Sequence, residues 1–401
     1  MKRAATSPWT VAWAAFGLAV AGWGLGFYGP AVFIKTLHTR DGWAISALSA
    51  AVSFHFLFSS VLIFCLPGIH ARLGVARATA LGLGLAAAGA LAWGHVTVLW
   101  QIWPAAALSA SGWALTSGVA LNAILSQHFA ADRPKALSLA YNGASMAGLL
   151  VVPLWVALIA WRGLPLASIV MAVAALGVML PLALRWFGPP AGQPTAAGAA
   201  TAPTVNVLRL RRFWMLSLPF ALGLFAQVGV LTHLLVYMSP LVGAALATSS
   251  ITALTLFAIL GRTLFARYFT GFDLAAVAGC TLSVQAAGFA LMAWGGVGQP
   301  RAEVLLVGAA LFGLGFGNLT SLPPMVAQRW FAPSLVGTVV ARVTGINQAL
   351  YAFAPAVFGL MRDHTGSYLW PLLMAAVLQI LAAGLLLQAK KRVSAEENTI
   401  N

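Results

Sequence analysis

The chain has 401 residues, 61% of them apolar, with only 22 Lys or Arg and seven Asp or Glu. A soluble chain devotes about a quarter of its residues to charge, so this one cannot cover a water-facing surface and reads as a membrane protein. The net charge of +15 does not indicate a nucleic-acid binder, which gathers its basic residues on one face of a soluble module; no room for such a module remains between the apolar runs. Cys65 and Cys280 lie inside apolar runs, so no disulfide scaffold or CxxC site can form, and both read as small core residues.

Apolar runs punctuated by Gly, Pro and charge predict twelve membrane spans, numbered here 1 to 12: 9–36, 43–66, 73–95, 98–127, 135–161, 163–187, 213–240, 246–269, 274–295, 302–328, 334–361 and 367–389. The opening Met1-Lys2-Arg3 imitates a secretory signal, but the apolar run behind it is too long for one and is taken as span 1. With the amino terminus in the cytoplasm, fifteen basic residues fall inside and five outside, the latter being Lys35, Arg40, Arg162, Arg301 and Arg362. The positive-inside rule then puts both termini in the cytoplasm. Trp9, Trp43, Trp93, Trp161, Trp186, Trp214, Trp294 and Trp370 fall near span ends and read as an interfacial belt.

Residues 188–206 contain no charge and no bulky apolar side chain before Val205, the composition of a flexible linker. The expected organisation is a bundle at 1–187, a cytoplasmic linker at 188–212 and a second bundle at 213–401. The halves echo each other. Leu115-Thr116-Ser117 with Gln127-His128-Phe129-Ala130 is matched by Leu319-Thr320-Ser321 with Gln328-Arg329-Trp330-Phe331-Ala332, and Gly143 is matched by Gly345. An offset of about 202 residues is what a duplicated six-helix unit leaves.

Several segments taken in order resemble a major facilitator superfamily transporter, within the branch of monocarboxylate transporters and oxalate:formate antiporters. They are Gly22-Trp23-Gly24 through Gly26-Phe27-Tyr28, Trp43-Ala44-Ile45-Ser46, Arg133-Pro134-Lys135-Ala136, Gly261-Arg262 and Asp363-His364-Thr365-Gly366-Ser367-Tyr368. The resemblance implies an all-α membrane protein of twelve helices in two pseudo-symmetric six-helix bundles, alternating access to a central site. Two positions depart from the pattern: Ala71 stands where the superfamily usually has an aspartate after span 2, and Ala258 stands one turn before Arg262 where animal-type members carry one. The short tails are similar to those of bacterial members, which implies an inner-membrane location.

All seven acids, Asp41, Asp132, Asp273, Glu303, Asp363, Glu396 and Glu397, fall in predicted loops or the tail; apart from His, the ionisable charges left inside the spans are Arg262 and Arg342. An arginine inside a bilayer costs about 3 kcal/mol on the gentlest insertion scale, so it needs water, a partner or a ligand, and a small anion suits it. The helical period puts Arg262 on a stripe with Thr248, Thr252, Thr255 and Ile259 that reads as cavity lining, whereas Arg342 points away from the polar face of Thr344, Asn347, Gln348 and Tyr351.

His55 is an unusual titratable group in mid-span; it reads as a hydrogen-bonded core histidine or, where transport is proton-coupled, as the proton carrier. The Ser46, Ser49, Ser53 and Ser60 stripe lies largely on another face of the same span. Tyr28 shares a face with Ala14, Gly17, Ala21 and Gly24, and the resemblance implies that Tyr28 and Tyr141 line the cavity. Asn318 and Asn347 are expected to shape it or hydrogen-bond in it. Arg342, His233, Tyr237 and Tyr351 are secondary or gating candidates. Gly313-Leu314-Gly315-Phe316-Gly317 lacks the strand and basic residue of a nucleotide loop and reads as close helix packing. No catalytic motif is present, and no cofactor or metal is implied.

The function that follows is secondary transport of a small organic anion, a monocarboxylate first of all, with the proton as candidate coupling ion and the bilayer as the other partner. Anion exchange and export of larger amphipathic compounds are the alternatives within the fold; a non-transporting receptor is the alternative outside it.

Overall fold

The structure is a computed structural model and describes residues 7–129, 132–189, 206–269 and 271–400. Residues 190–205 of the expected linker lie outside the described part. Eleven helical stretches among the described residues are long and apolar enough to cross a membrane. Ten run 20 to 34 residues, but Lys135–Trp186 runs 52. At about 1.5 Å per residue that is roughly 78 Å, more than twice a bilayer core of about 30 Å. It breaks at Gly163, where φ is 78° and ψ 172°, a backbone conformation essentially confined to glycine. It therefore holds spans 5 and 6, and the spans among the described residues number twelve.

The others are span 1, Pro8–Asp41; span 2, Ser46–Leu73; span 3, Val75–Gly94; span 4, Leu99–Ser126; span 7, Arg211–Val242; span 8, Ala245–Leu264; span 9, Leu274–Gly295; span 10, Ala302–Trp330; span 11, Pro333–Thr365; and span 12, Leu369–Val393. The chain divides into two compact units, Met1–Ala202 and Pro203–Asn401. Within the first, span 1 packs on span 5, span 2 on span 4, and span 3 on span 4 and on Val152–Trp186. Within the second, span 7 packs on span 11, span 8 on span 10, and span 9 on spans 10 and 12. The duplication heard in the sequence is thus repeated in which helices touch.

Several spans are interrupted. Span 1 is Pro8–Gly26 followed by Gly29–Asp41, and span 11 is Pro333–Tyr351 followed by Ala354–Thr365. Each second segment carries a proline in its first turn, Pro30 and Pro355, which has no N–H to give the carbonyl four residues back. Span 4 breaks at Ser117, with φ −66° and ψ 177°. Span 5 contains a π-turn at Ala147–Val151. An offset of 202 carries that turn onto residues 349–353, where span 11 breaks, so the two irregularities occupy equivalent places in the halves.

Glycines set the packing distances. A Cβ on Gly22 or Gly26 would meet Thr116 or Trp113 of span 4, and one on Gly24 would meet Val151 of span 5. The glycine-rich middle of span 1 is thus a packing surface of the small-residue kind that membrane helices use. Two expectations are corrected. Trp93 is fully buried; its indole N–H donates to Ser109 Oγ at 3.1 Å and its ring stacks on Phe33. The bundle satisfies this N–H, so the ring has no need of the wet interface. Cys65 and Cys280 are exposed rather than buried in a core.

Candidate functional site

In the second unit, the small residues of spans 8 and 10 let the two backbones meet. A Cβ on Gly261 would strike the Leu314 carbonyl, and one on Gly313 the Leu254 carbonyl. At this contact the chains exchange hydrogen bonds: Arg262 Nη2 donates to Gly317 O at 2.8 Å, and Asn318 Nδ2 donates to Gly261 O at 3.4 Å. Each of the two neighbouring pairs, 261–262 and 317–318, thus supplies one donor and one acceptor. Arg262 is 3% exposed. Gly317 is the sixteenth of the 29 residues of span 10, whereas Arg262 stands two residues before the end of span 8, so the side chain runs from the end of one span to the middle of the other, and a buried cation there is expensive. Along the expected stripe, Thr255 is buried and spends its hydroxyl on Ile251 O at 2.8 Å, while Thr248 and Thr252 are half-buried.

Span 11 turns Asn347, Gln348 and Tyr351 inward, and Arg342 is half-buried on another part of the helix. Asn347 pairs with Ser217 of span 7 at 3.0 Å, and the Tyr351 hydroxyl donates to Gln348 Oε1 at 2.8 Å. The structure therefore brings Arg262 and Asn318 to one contact, each bonded to the carbonyl of the other's neighbour, and binds Asn347 to span 7 instead.

In the first unit, an unbroken series of aromatic rings links the three expected residues. Tyr141 meets Trp23 at 6.1 Å, Trp23 meets Trp113 at 4.8 Å, Trp113 meets Phe27 at 5.8 Å, and Phe27 meets Tyr28 at 5.4 Å and Phe56 at 5.8 Å. Phe56 in turn lies 5.0 Å from the His55 ring. The series follows the helix breaks. Tyr28 sits at the interruption of span 1, and Tyr141 lies against the interruption of span 4, its hydroxyl donating to Gly118 O and accepting from Asn122 Nδ2, each at 3.3 Å. His55 is fully buried; its Nδ1 is 2.9 Å from Ser109 Oγ, the oxygen that also serves Trp93. Its ring lies beside the carbonyls of Gly26 and Ala106, the first of which Pro30 cannot serve.

His233 and Tyr237 stand together in span 7. His233 Nε2 is 2.9 Å from Pro355 O and its Nδ1 is 3.0 Å from the Tyr368 hydroxyl. A carbonyl only accepts, so Nε2 bears the proton; in the neutral ring Nδ1 then accepts from Tyr368. Tyr237 donates to Met292 O at 2.6 Å and meets Tyr368 edge-on at 5.4 Å. The pair thus ties span 7 to the break in span 11, to span 9 and to Tyr368 between spans 11 and 12.

Some partners were not anticipated. Gln227, Gln285 and Gln379 of spans 7, 9 and 12 are buried and joined: Gln285 donates to Gln227 at 2.9 Å, and Gln379 donates to Gln285 at 2.6 Å and to Gly223 O at 3.2 Å. Three lone glutamines inside apolar runs are a visible signal, because a polar side chain there needs a partner; their mutual contact follows only from the packing of the three helices.

No protein-family model matches the chain, and no curated protein matches its sequence. By structure it is similar to the human organic anion transporter MFSD10 (TETRAN), with 15% identity, 94% of this chain and 98% of that one covered, and a TM-score of 0.71. The chain therefore has the fold of the major facilitator superfamily, two pseudo-symmetric bundles of six membrane-spanning helices.

Proposed function

We propose that the chain is a secondary transporter that moves a small organic anion by alternating access, with a short monocarboxylate as substrate. The carrying observation is Arg262, a buried cation bonded to the middle of span 10 in a chain whose acids all lie at span ends or beyond them. Its planar fork matches the two oxygens of a carboxylate. Support for the class comes from the fold and from its occurrence in an organic anion transporter. Asn318 holds the backbone beside the arginine, Tyr28 and Tyr141 give the first unit its aromatic surface, Asn347 adds an amide, and His55 carries the proton in a symport. In this reading both termini are cytoplasmic and the protein resides in a bacterial inner membrane.

Exchange of one anion for another is the second reading. It is favoured by the lack of Asp or Glu in the span interiors, which removes the usual proton carriers and leaves histidine. Proteoliposomes loaded with purified protein separate the two. Accumulation of labelled pyruvate or lactate driven by an imposed pH gradient supports symport; uptake that needs internal anion and ignores the gradient supports exchange. Binding without movement under either condition would overturn the transporter reading.

A further inference from the structure

The basic end of the second unit carries a groove whose lining includes none of the residues assigned to the transported anion. Span 7 begins at Arg211, span 12 ends near Arg392, and between them lies a cavity of about 200 Å³ lined by Arg211, Trp214, Leu218, Leu385, Gln388 and Arg392. Its polarity is graded along one direction. Arg211 and Arg392 are exposed at the mouth; seven residues farther into each span, about 10 Å at the helical rise, stand the exposed leucines Leu218 and Leu385. Because the two helices run in opposite senses, the paired arginines and the paired leucines fall at matching depths. Trp214, 46% exposed, donates its indole N–H to Leu208 O at 2.8 Å, which places an amphipathic ring at the level that membrane-interface tryptophans occupy. Asp273, at the same end, is engaged by Lys390 at 3.6 Å.

A soluble anion would not use the apolar walls, and a neutral lipid would not use the two guanidinium groups. We propose that this groove binds an anionic phospholipid, its phosphate between Arg211 and Arg392 with Gln388 as a further donor, and the first carbons of its acyl chain along Leu218 and Leu385. The site is independent of the transported anion and of Arg262.

Native mass spectrometry of the full-length protein in detergent tests this with three probes: phosphatidylglycerol, phosphatidylcholine and inorganic phosphate. Phosphatidylglycerol should bind about thirty-fold more tightly than phosphatidylcholine, the weight of two basic groups at a membrane surface. The double variant Arg211→Gln with Arg392→Gln should bring that ratio to within about threefold. Where the double variant does not fold, Leu218→Asn keeps both charges and should weaken phosphatidylglycerol several-fold. Equal binding of the two lipids, a preference undiminished in the double variant, or phosphatidylglycerol affinity unchanged in Leu218→Asn overturns the site. Inorganic phosphate competing as well as phosphatidylglycerol would assign the arginines to a soluble anion and overturn the lipid.

Discussion

Arg262 has two tasks: it closes the contact with Gly317 and, in the proposed function, it meets the substrate's carboxylate. Arg262→Gln keeps a donor for the Gly317 carbonyl but removes the charge, so the helix contact should survive while binding is lost. Truncating one member of a buried charge pair costs about 2 to 5 kcal/mol, roughly thirty-fold to several thousand-fold in affinity. Arg262→Lys retains charge without the fork and should bind severely more weakly, and Arg342→Gln should spare binding more than either. Calorimetry on folded, monodisperse protein checks all three; parental affinity in Arg262→Gln would move the anion elsewhere. His55→Gln preserves a group able to bond Ser109, so the bundle should persist while pH-driven accumulation falls and exchange continues. Undiminished accumulation would remove His55 from proton coupling.

Between spans, the contacts depend on glycines and on buried amides. Gly317→Ala would push a methyl towards Ala258 O, 2.8 Å from the ideal Cβ, and towards Arg262 Nη2 at 3.1 Å. Spans 8 and 10 must then separate, and both melting temperature and substrate affinity should drop, whereas Gly337→Ala, with open space around it, should change neither. Gln285→Leu strands two glutamines that lose their shared partner; with interhelical hydrogen bonds worth about 0.6 to 2 kcal/mol each, a loss of about 2 kcal/mol should appear in thermal unfolding. The connection between spans 11 and 12 adds a pH dependence. Burial pushes the Tyr368 phenol up to about 12, above its ordinary value near 10. The folded state therefore holds the proton more tightly, and this contribution is complete below about pH 10 and lost as pH rises through about 12. Tyr368→Phe should abolish that alkaline loss and remove the donor to His233, which unfolding curves measured from pH 8 to 12 would register.

For the molecule as a whole, the fifteen-to-five distribution of basic residues predicts that the segment between the units faces the cytoplasm. Single cysteines placed in 188–206 should react with an impermeant reagent only after the cytoplasmic side is opened. Reaction in intact cells would invert the topology.

The number of spans, their division into two sets of six and the echo between the halves follow from the sequence by itself. Apolar runs near 20 residues have one stable use in a bilayer, because only a helix satisfies its own backbone there. The packing role of Gly313-Leu314-Gly315-Phe316-Gly317 was legible for a related reason: small residues in a span serve close approach. The partners of individual side chains were not legible. Helical period tells which residues share a face, but not which helix that face meets or at what height. So Arg262 could be picked out as a buried cation, while its bond to Gly317, the link of His55 to Ser109, the attachment of Asn347 to Ser217 and the joining of three glutamines from spans 7, 9 and 12 were decided only by tertiary packing. Trp93 and the two cysteines went astray for the same cause: depth along a span can be counted in residues, whereas inward or outward orientation depends on the neighbours that the fold supplies.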